Sequence, residues 1–455
     1  MAIQSINPAT GKLIRRYKEH SKTQINNKIN QTYKAWQIWK DIPFLERGVF
    51  MNKAADVLRK RKNELARIMA LEMGKPLKDG IAEVEKCAGV CEYYAKNAEN
   101  FLKDELIKTE GSKSYVTFNP LGIVLAIMPW NFPFWQVFRF LAPGLMAGNC
   151  GILKHASNVP ACALAIESIL IQAGFPPHVF QTLLVGSDMI NEIIENDKIM
   201  AVTLTGSTAA GRKVAEKAGS LLKKTVLELG GSDPYIILED ADLELAAESC
   251  VNSRLINSGQ SCIAAKRFIV VKKVENDFKN LFLQKMASKK MGDPLEDQTD
   301  IGPQARKDLR DELHKQVQKS ISQGARCILG GEITEGDHAF YPPTILTNVK
   351  KGMLAYEEEL FGPVASIISA RDEKHAIEIA NDSNFGLGSA IFSKDVKNAE
   401  KLASKSLQSG SCFVNALVKS DPRLPFGGIK QSGYGRELGL YGIKEFVNIK
   451  TVYIK

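Results

Sequence analysis

Gly122-Ile123-Val124-Leu125-Ala126-Ile127-Met128-Pro129-Trp130-Asn131 runs its apolar side chains together without a polar interruption and then stops at Pro-Trp-Asn. A strand that is apolar at every position has both faces covered, as in a parallel sheet packed between helices. The same unit recurs downstream. Cys150-Gly151-Ile152-Leu153, Phe180-Gln181-Thr182-Leu183-Leu184-Val185, Met200-Ala201-Val202-Thr203-Leu204-Thr205 and Thr225-Val226-Leu227-Glu228-Leu229 are short, mostly apolar stretches, separated by segments with helical spacing. Strands alternating with helices predict an α/β fold with a Rossmann-like parallel sheet. Ligands of such sheets bind beyond the carboxyl ends of the strands. These stretches end on groups suited to binding: Trp130 and Asn131, Lys154, Gly186 and Ser187, Gly206 and Ser207, and Glu228.

Further along the chain a second alternation starts at Tyr235-Ile236-Ile237-Leu238. It continues through Arg267-Phe268-Ile269-Val270-Val271, Ala365-Ser366-Ile367-Ile368-Ser369 and Gly410-Ser411-Cys412-Phe413-Val414, which predicts a second α/β lobe. Towards the N-terminus, helical spacing predicts helices over 25–40, 44–73 and 78–97. The β-prone stretch 112–118 reads as an exposed arm. The alternating stretch 446–454 reads as an edge strand that pairs with that arm or with another subunit.

With 455 residues the chain is too long for one ordinary core, so two lobes are expected. The net charge of +9 is spread along the chain, often beside acidic residues, and forms no basic stripe with interleaved aromatics. Nucleic acid is therefore not an expected partner. No apolar run approaches the ~20 residues of a membrane span, and residues 1–5 lack a secretory pattern. The eight cysteines form no CxxC pair, and no HxxH or HxxxH pattern occurs. No metal site is expected, and the thiols suit a reducing cytoplasm. Cys87 and Cys91, at i,i+4, read as one face of a buried helix.

Cys262 differs from the other cysteines. It follows Asn257-Ser258-Gly259-Gln260-Ser261, a small polar turn of the kind in which reactive thiols sit. Upstream, Glu228 stands alone among apolar residues, the setting of a general base with a raised pKa. Together they suggest covalent catalysis. Thr205-Gly206-Ser207-Thr208-Ala209-Ala210-Gly211 follows a strand and opens a helix; a pyrophosphate on the helix N-terminus and a plain tight turn both account for it. Lys154-His155-Ala156-Ser157 offers a lysine and a hydroxyl to a ribose or a 2′-phosphate, and no carboxylate occurs from 132 to 166 to repel one. Arg139 lies in an apolar segment with Trp135 one helical turn away. An acidic partner across the fold and an anionic substrate would each answer its need for a counter-ion.

These motifs, with Glu358-Glu359-Leu360-Phe361-Gly362-Pro363 and Pro425-Phe426-Gly427-Gly428, resemble the aldehyde dehydrogenase superfamily in order and spacing over nearly the whole chain. Residues 131–139, 154–160 and 418–425 are similar to the short bacterial succinate-semialdehyde dehydrogenases that use NADP. The resemblance implies a cofactor-binding domain (1–101 and 121–230), a catalytic domain (231–431) and a small β oligomerisation arm (102–120 and 432–455). It implies that Cys262 attacks the aldehyde, that Asn131 and the Cys262 N–H form an oxyanion hole, and that Glu228 activates water against the thioester. The implied cofactor contacts are Trp130, Asn131, Lys154, His155, Ala156, Ser157, Gly206, Ser207, Leu229, Glu359 and Phe361. Ser157 stands where many NAD-preferring relatives carry glutamate, so NADP is expected and NAD is the less favoured alternative.

For the substrate, the resemblance implies an anionic small aldehyde, succinate semialdehyde, held by Arg139, Trp135 and Ser420, in a homodimer or homotetramer. Ala264 stands where some relatives carry a second cysteine, so a redox switch at that position is not expected. The alternatives are the same chemistry on another small aldehyde, a cysteine hydrolase, and a non-catalytic binding module. A hydrolase needs a histidine beside the thiol, and His20, His155, His178, His314, His338 and His375 all lie outside the Cys262 motif.

Overall fold

A computed structural model describes residues 2–333, 336 and 338–455. Two parallel sheets dominate it. The first has six strands in the order Gly433–Tyr434, Lys224–Glu228, Ile199–Thr205, Ile123–Met128, Cys150–His155 and Phe180–Thr182. All pairs are parallel except that of Gly433–Tyr434 with Lys224–Glu228. The strand Ile123–Met128 shows why its sequence is apolar throughout. Side chains alternate across a strand, so Val124, Ala126 and Met128 enter the core shared with the helices Phe44–Lys60 and Lys62–Met73. Ile123 and Leu125 enter the opposite core, with Ile25, Ile29 and Val214.

The second sheet has seven strands in the order Arg326–Leu329, Thr344–Thr347, Val364–Ala370, Arg267–Val271, Pro234–Ile237, Gly388–Phe392 and Ser411–Val414. Only Arg326–Leu329 runs antiparallel. Tyr235 and Ile237 face the core shared with the first sheet, while Ile236 and Ile269 face a core of their own. The third sheet is the arm: Val447–Ile454 pairs antiparallel with Lys113–Pro120, from Val447 opposite Pro120 to Ile454 opposite Lys113. The alternating tail thus pairs within its own chain.

Several elements differ from the sequence reading, the strands Arg326–Leu329 and Thr344–Thr347 among them. The helix expected over 44–73 is two helices, Phe44–Lys60 and Lys62–Met73, broken at Arg61 (φ −100°, ψ 6°). The turn lets Leu58 and Leu65 both reach the core, and the Arg61 guanidinium grips Glu64. The hairpin of Ala2–Ile6 with Leu13–Lys18 and the buried strand Gly388–Phe392 carry weak β signals and lie outside the sequence expectation. Cys87 and Cys91 are both buried on the helix Leu77–Phe101. Among the described residues no helix is long and apolar enough to cross a membrane, and no group of three or more His, Cys, Asp or Glu is placed to hold a metal.

Candidate active site

The cysteine loop is built against backbone preference. Asn257, Ser258 and Gly259 all have positive φ, at 52°, 56° and 78°. The two non-glycine residues cost about 1–3 kcal/mol each in that region, so the surroundings must hold them. A Cβ on Gly259 would lie 2.2 Å from the carbonyl carbon of Gly362, so only glycine lets the segment 358–363 lie against this loop. The Ser258 hydroxyl accepts from the Gly302 N–H (2.9 Å), and the Gln260 side chain accepts from the Ala305 N–H (2.8 Å). Arg254 donates to the Gly259 carbonyl at 2.6 Å. The Lys266 ammonium donates to the carbonyls of Ser261 (2.8 Å) and Cys262 (2.7 Å). Pinned in this way, Cys262 is half-buried, and among the described residues nothing accepts from its N–H.

Asn131 is fastened to the same loop. Its amide donates to the Gln260 carbonyl at 3.1 Å, and its own carbonyl accepts from the Asn257 amide at 2.7 Å. An amide nitrogen carries two donors, so one N–H of Asn131 is left over from the Gln260 contact, and the Cys262 N–H is also unused among the described residues. Burial pushes the Cys262 thiol up to about 12, against the pull of Arg139 and Lys266. A thiol so placed acts as a nucleophile only where a proton acceptor assists it.

Glu228 is a second buried titratable group of the site. It ends the strand Lys224–Glu228, is 2% exposed, and among the described residues neither carboxylate oxygen has a hydrogen-bond partner. Burial, reinforced by Glu437, holds its carboxyl well above the usual range, while Arg139 and Arg436 act the other way. A Cβ on Gly427 would stand only 2.7 Å from the Glu228 Oε1, so glycine at 427 leaves room for the carboxyl.

Beyond the strand ends of the first sheet lies a cleft of about 710 Å³, lined among others by Ile127, Lys154, Ser187, Asp188, Leu204 and Lys213. It is large enough for a nucleoside. Burial lowers the Lys154 ammonium and Asp188 raises it. Asp188 is a carboxylate from outside the stretch 132–166, brought to Lys154 by the fold from another loop. Ser157 is exposed. The other two residues of that turn are committed to it: the Ala156 N–H donates to His155 Nδ1 (2.9 Å), and His155 Nε2 meets the Pro133 carbonyl (2.9 Å). Burial depresses that imidazole to about 4, so the ring is neutral.

Ser207 caps the helix Thr208–Ser220, its hydroxyl accepting from the Ala210 N–H at 3.3 Å, while the Gly206 N–H donates to the Glu228 carbonyl at 3.0 Å. Leu229 packs where a Cβ on Gly211 would stand, which fixes the helix close to the strand end. Glu359 accepts from the Gly231 N–H and pairs with Lys266, both at 3.1 Å. Phe361 meets Trp130 edge to face, with ring centres 5.8 Å apart.

At the remaining side of the site, Trp135 donates to the Ser420 hydroxyl at 3.1 Å. Arg139 has found its acidic partner across the fold: it is 2% exposed, pairs with Glu437, and lies 4.6 Å from the Phe426 ring centre. Its Nη2 donates to the Thr205 hydroxyl at 3.4 Å. Arg139→Ala leaves the Glu437 carboxyl buried without a counter-ion. The expected loss of stability is about 3 kcal/mol, at the low end for a broken buried pair because Glu437 is able to take up a proton. Urea unfolding reads it as a lowered midpoint with an unchanged slope; a midpoint equal to the parent's would mean that the pair contributes nothing.

The sequence reading missed Lys266, Glu437 and Lys86, whose ammonium lies 2.7 Å from the Ser420 hydroxyl and 4.1 Å from the Trp135 ring centre. Lys266-Arg267 at the head of an apolar strand is a signal for the first, because two buried cations need partners. Nothing in the sequence separates Glu437 or Lys86 from other charged residues.

The chain is similar to known proteins over its whole length. The description "Aldehyde dehydrogenase family" matches residues 1–452. The chain is 50% identical over 454 residues to a probable succinate-semialdehyde dehydrogenase [NADP(+)] of Synechocystis, covering all of both. It is 46% identical to a succinate-semialdehyde dehydrogenase [NADP(+)] of Mycobacterium avium, covering all of this chain and 97% of that one. The solved succinic semialdehyde dehydrogenase of Streptococcus pyogenes, in complex with NADP+, superposes with a TM-score of 0.97 at 36% identity, over the whole of both chains.

Proposed function

Since the chain belongs to the aldehyde dehydrogenase family, we propose that it oxidises succinate semialdehyde to succinate with NADP. The observation that carries this reading is the Cys262 loop, with a half-buried thiol and two spare donors, the Cys262 N–H and the Asn131 amide, fastened beside it.

Cys262 Sγ attacks the aldehyde carbon, and the carbonyl oxygen takes up negative charge as the C–S bond forms. The Cys262 N–H and Asn131 amide face that oxygen; each such donor is worth about 3 kcal/mol. Glu228, once ionised, takes the thiol proton. When bound, NADP supplies the hydride acceptor. With the hydride gone, the carbon is a thioester on Cys262. Glu228 gives up that first proton to bulk water and then takes one from the water that adds to the thioester; the C–S bond breaks, the proton returns to the Cys262 sulfur, and the acid leaves.

The residues present fit the cofactor. Lys154 and Ser157 suit an adenosine ribose with its 2′-phosphate, and the helix N-terminus at Gly206 and Ser207 suits the pyrophosphate. Trp130, Leu229, Glu359 and Phe361 would hold the nicotinamide end, Glu359 by accepting from the ribose hydroxyls. His155 and Ala156 serve by shaping the turn. For the substrate, Trp135, Arg139 and Ser420 wall the far end. The arm, with Ile449 and Tyr453 exposed, is assigned to a homodimer or homotetramer contact, and eight free cysteines suit a reducing cytoplasm.

Initial rates with succinate semialdehyde and with butanal, each with NADP and NAD, test this. The expected result is the highest kcat/KM with succinate semialdehyde and NADP, at least tenfold above either exchange. Equal values for the two aldehydes would remove the substrate assignment, and faster turnover with NAD would remove the cofactor assignment.

A further inference from the structure

An aldehyde that carries a carboxylate brings a negative charge to a wall made of Trp135, Arg139 and Ser420. A buried charge needs an unspent counter-charge, and Arg139 already has Glu437. The helix Leu77–Phe101 supplies a second cation. The Lys86 ammonium lies 4.1 Å from the Trp135 ring centre and 2.7 Å from the Ser420 hydroxyl. Among the described residues no carboxylate lies within salt-bridge distance of it. We propose that Lys86 is the residue that reads the substrate's distal carboxylate, with Ser420 as its companion donor. This rests on the reading of the site as one for a carboxylated aldehyde.

The donor count supports the assignment. A lysine ammonium has three N–H donors; one goes to Ser420, leaving two. The Ser420 oxygen accepts from both Lys86 and Trp135. Both its lone pairs are thereby engaged, and its own O–H is left to donate. Two N–H groups and one O–H suit the two oxygens of a carboxylate. The indole ring under the ammonium holds it by cation–π attraction without neutralising it.

The place of this cluster relative to the nucleophile is also fixed. The Val418 N–H donates to the Tyr235 hydroxyl (2.6 Å), which also accepts from the Ser253 hydroxyl (2.9 Å); the Ser253 oxygen in turn accepts from the Ala265 N–H (3.1 Å). This buried chain ties the Ser420 loop to the Cys262 loop.

Burial, then Arg139, lowers the Lys86 ammonium to about 8, while Cys87 and Glu83 on its own helix and Asp421 on the facing loop act the other way. As pH rises through that value the lysine loses its charge, so the preference for a carboxylated aldehyde fades at alkaline pH.

The test is the ratio of kcat/KM for succinate semialdehyde to that for butanal, measured with NADP from pH 6 to 9. It is compared among the parent, Lys86→Met and Lys86→Arg. Within one protein sample the ratio is independent of how much is correctly folded, and it cancels the titration of Cys262 and Glu228. The expected result is a fall of at least tenfold in Lys86→Met, recovered for the most part in Lys86→Arg. The parent ratio should decline above pH 8, and the Lys86→Met ratio should stay flat. A Lys86→Met ratio equal to the parent's would overturn the role of Lys86 while leaving the substrate assignment in place. A parent ratio of one or below would overturn the substrate assignment itself, and this inference with it.

Discussion

Cys262→Ala is expected to abolish NADP-dependent aldehyde oxidation, with a loss in kcat on the order of 10⁶-fold, as when the nucleophile is removed from a catalytic unit that acts as one. The remaining machinery has no other way to bring the aldehyde carbon to the hydride-donating state. Folding should survive the change. The loop is held through backbone carbonyls, with Lys266 on those of Ser261 and Cys262 and Arg254 on that of Gly259, so the sulfur atom is not what fixes it. A melting temperature close to the parent's, together with loss of reduced-cofactor formation, is the expected pair of readings. Residual oxidation above a hundredth of the parent rate would remove the covalent mechanism.

Glu228→Gln should separate the two halves of the reaction. Glutamine keeps the size of the side chain and cannot accept a proton, so hydrolysis of the thioester is expected to slow by about 10²–10⁴-fold. A stopped-flow record should then show one reduced cofactor per active site in a burst, followed by near-arrest. The burst rate reports the other role of Glu228: a burst as fast as the parent's first turnover would show that this carboxylate does not take the thiol proton. The pH dependence has a defined sign. Burial and Glu437 hold the Glu228 carboxyl above its ordinary range, so the ionised base grows in as pH rises well past the usual carboxylate pKa. The steady-state rate of the parent should climb over that interval, and the residual rate of Glu228→Gln should not. A linear record with no burst would place the slow step ahead of hydride transfer.

What the sequence discloses follows from where the physical constraint is local. A strand buried on both faces has no choice but to be apolar, so Ile123–Met128 and Arg267–Val271 are legible from composition alone. Residues at the carboxyl ends of such strands lie where ligands bind, so Asn131, Lys154 and Glu228 stand out by their position along the chain. The Arg61 break is not legible, because Lys60-Arg61-Lys62 holds neither glycine nor proline and the turn is set by which faces must reach the core. The partner of Arg139 is equally hidden. The residue's need for a counter-ion is plain, but whether a substrate or Glu437 meets that need is a matter of tertiary structure. Lys86 is invisible for the complementary reason: its chemistry comes from the tryptophan, the serine and the missing carboxylate around it.

The way residues 433–454 are used bears on how the molecule is made. Gly433–Tyr434 forms an edge of the first sheet, Glu437 neutralises Arg139, and Val447–Ile454 closes the arm on Lys113–Pro120. On a ribosome these residues emerge after everything they contact. Pairings across such long separations are slow to form, because the intervening chain must be ordered first. Until they form, Arg139 has no counter-ion and the Glu228 strand lacks its outer neighbour, so the two catalytic lobes can condense before the chemistry is in place. The segment that completes the first sheet is therefore the last of its parts to be delivered by translation.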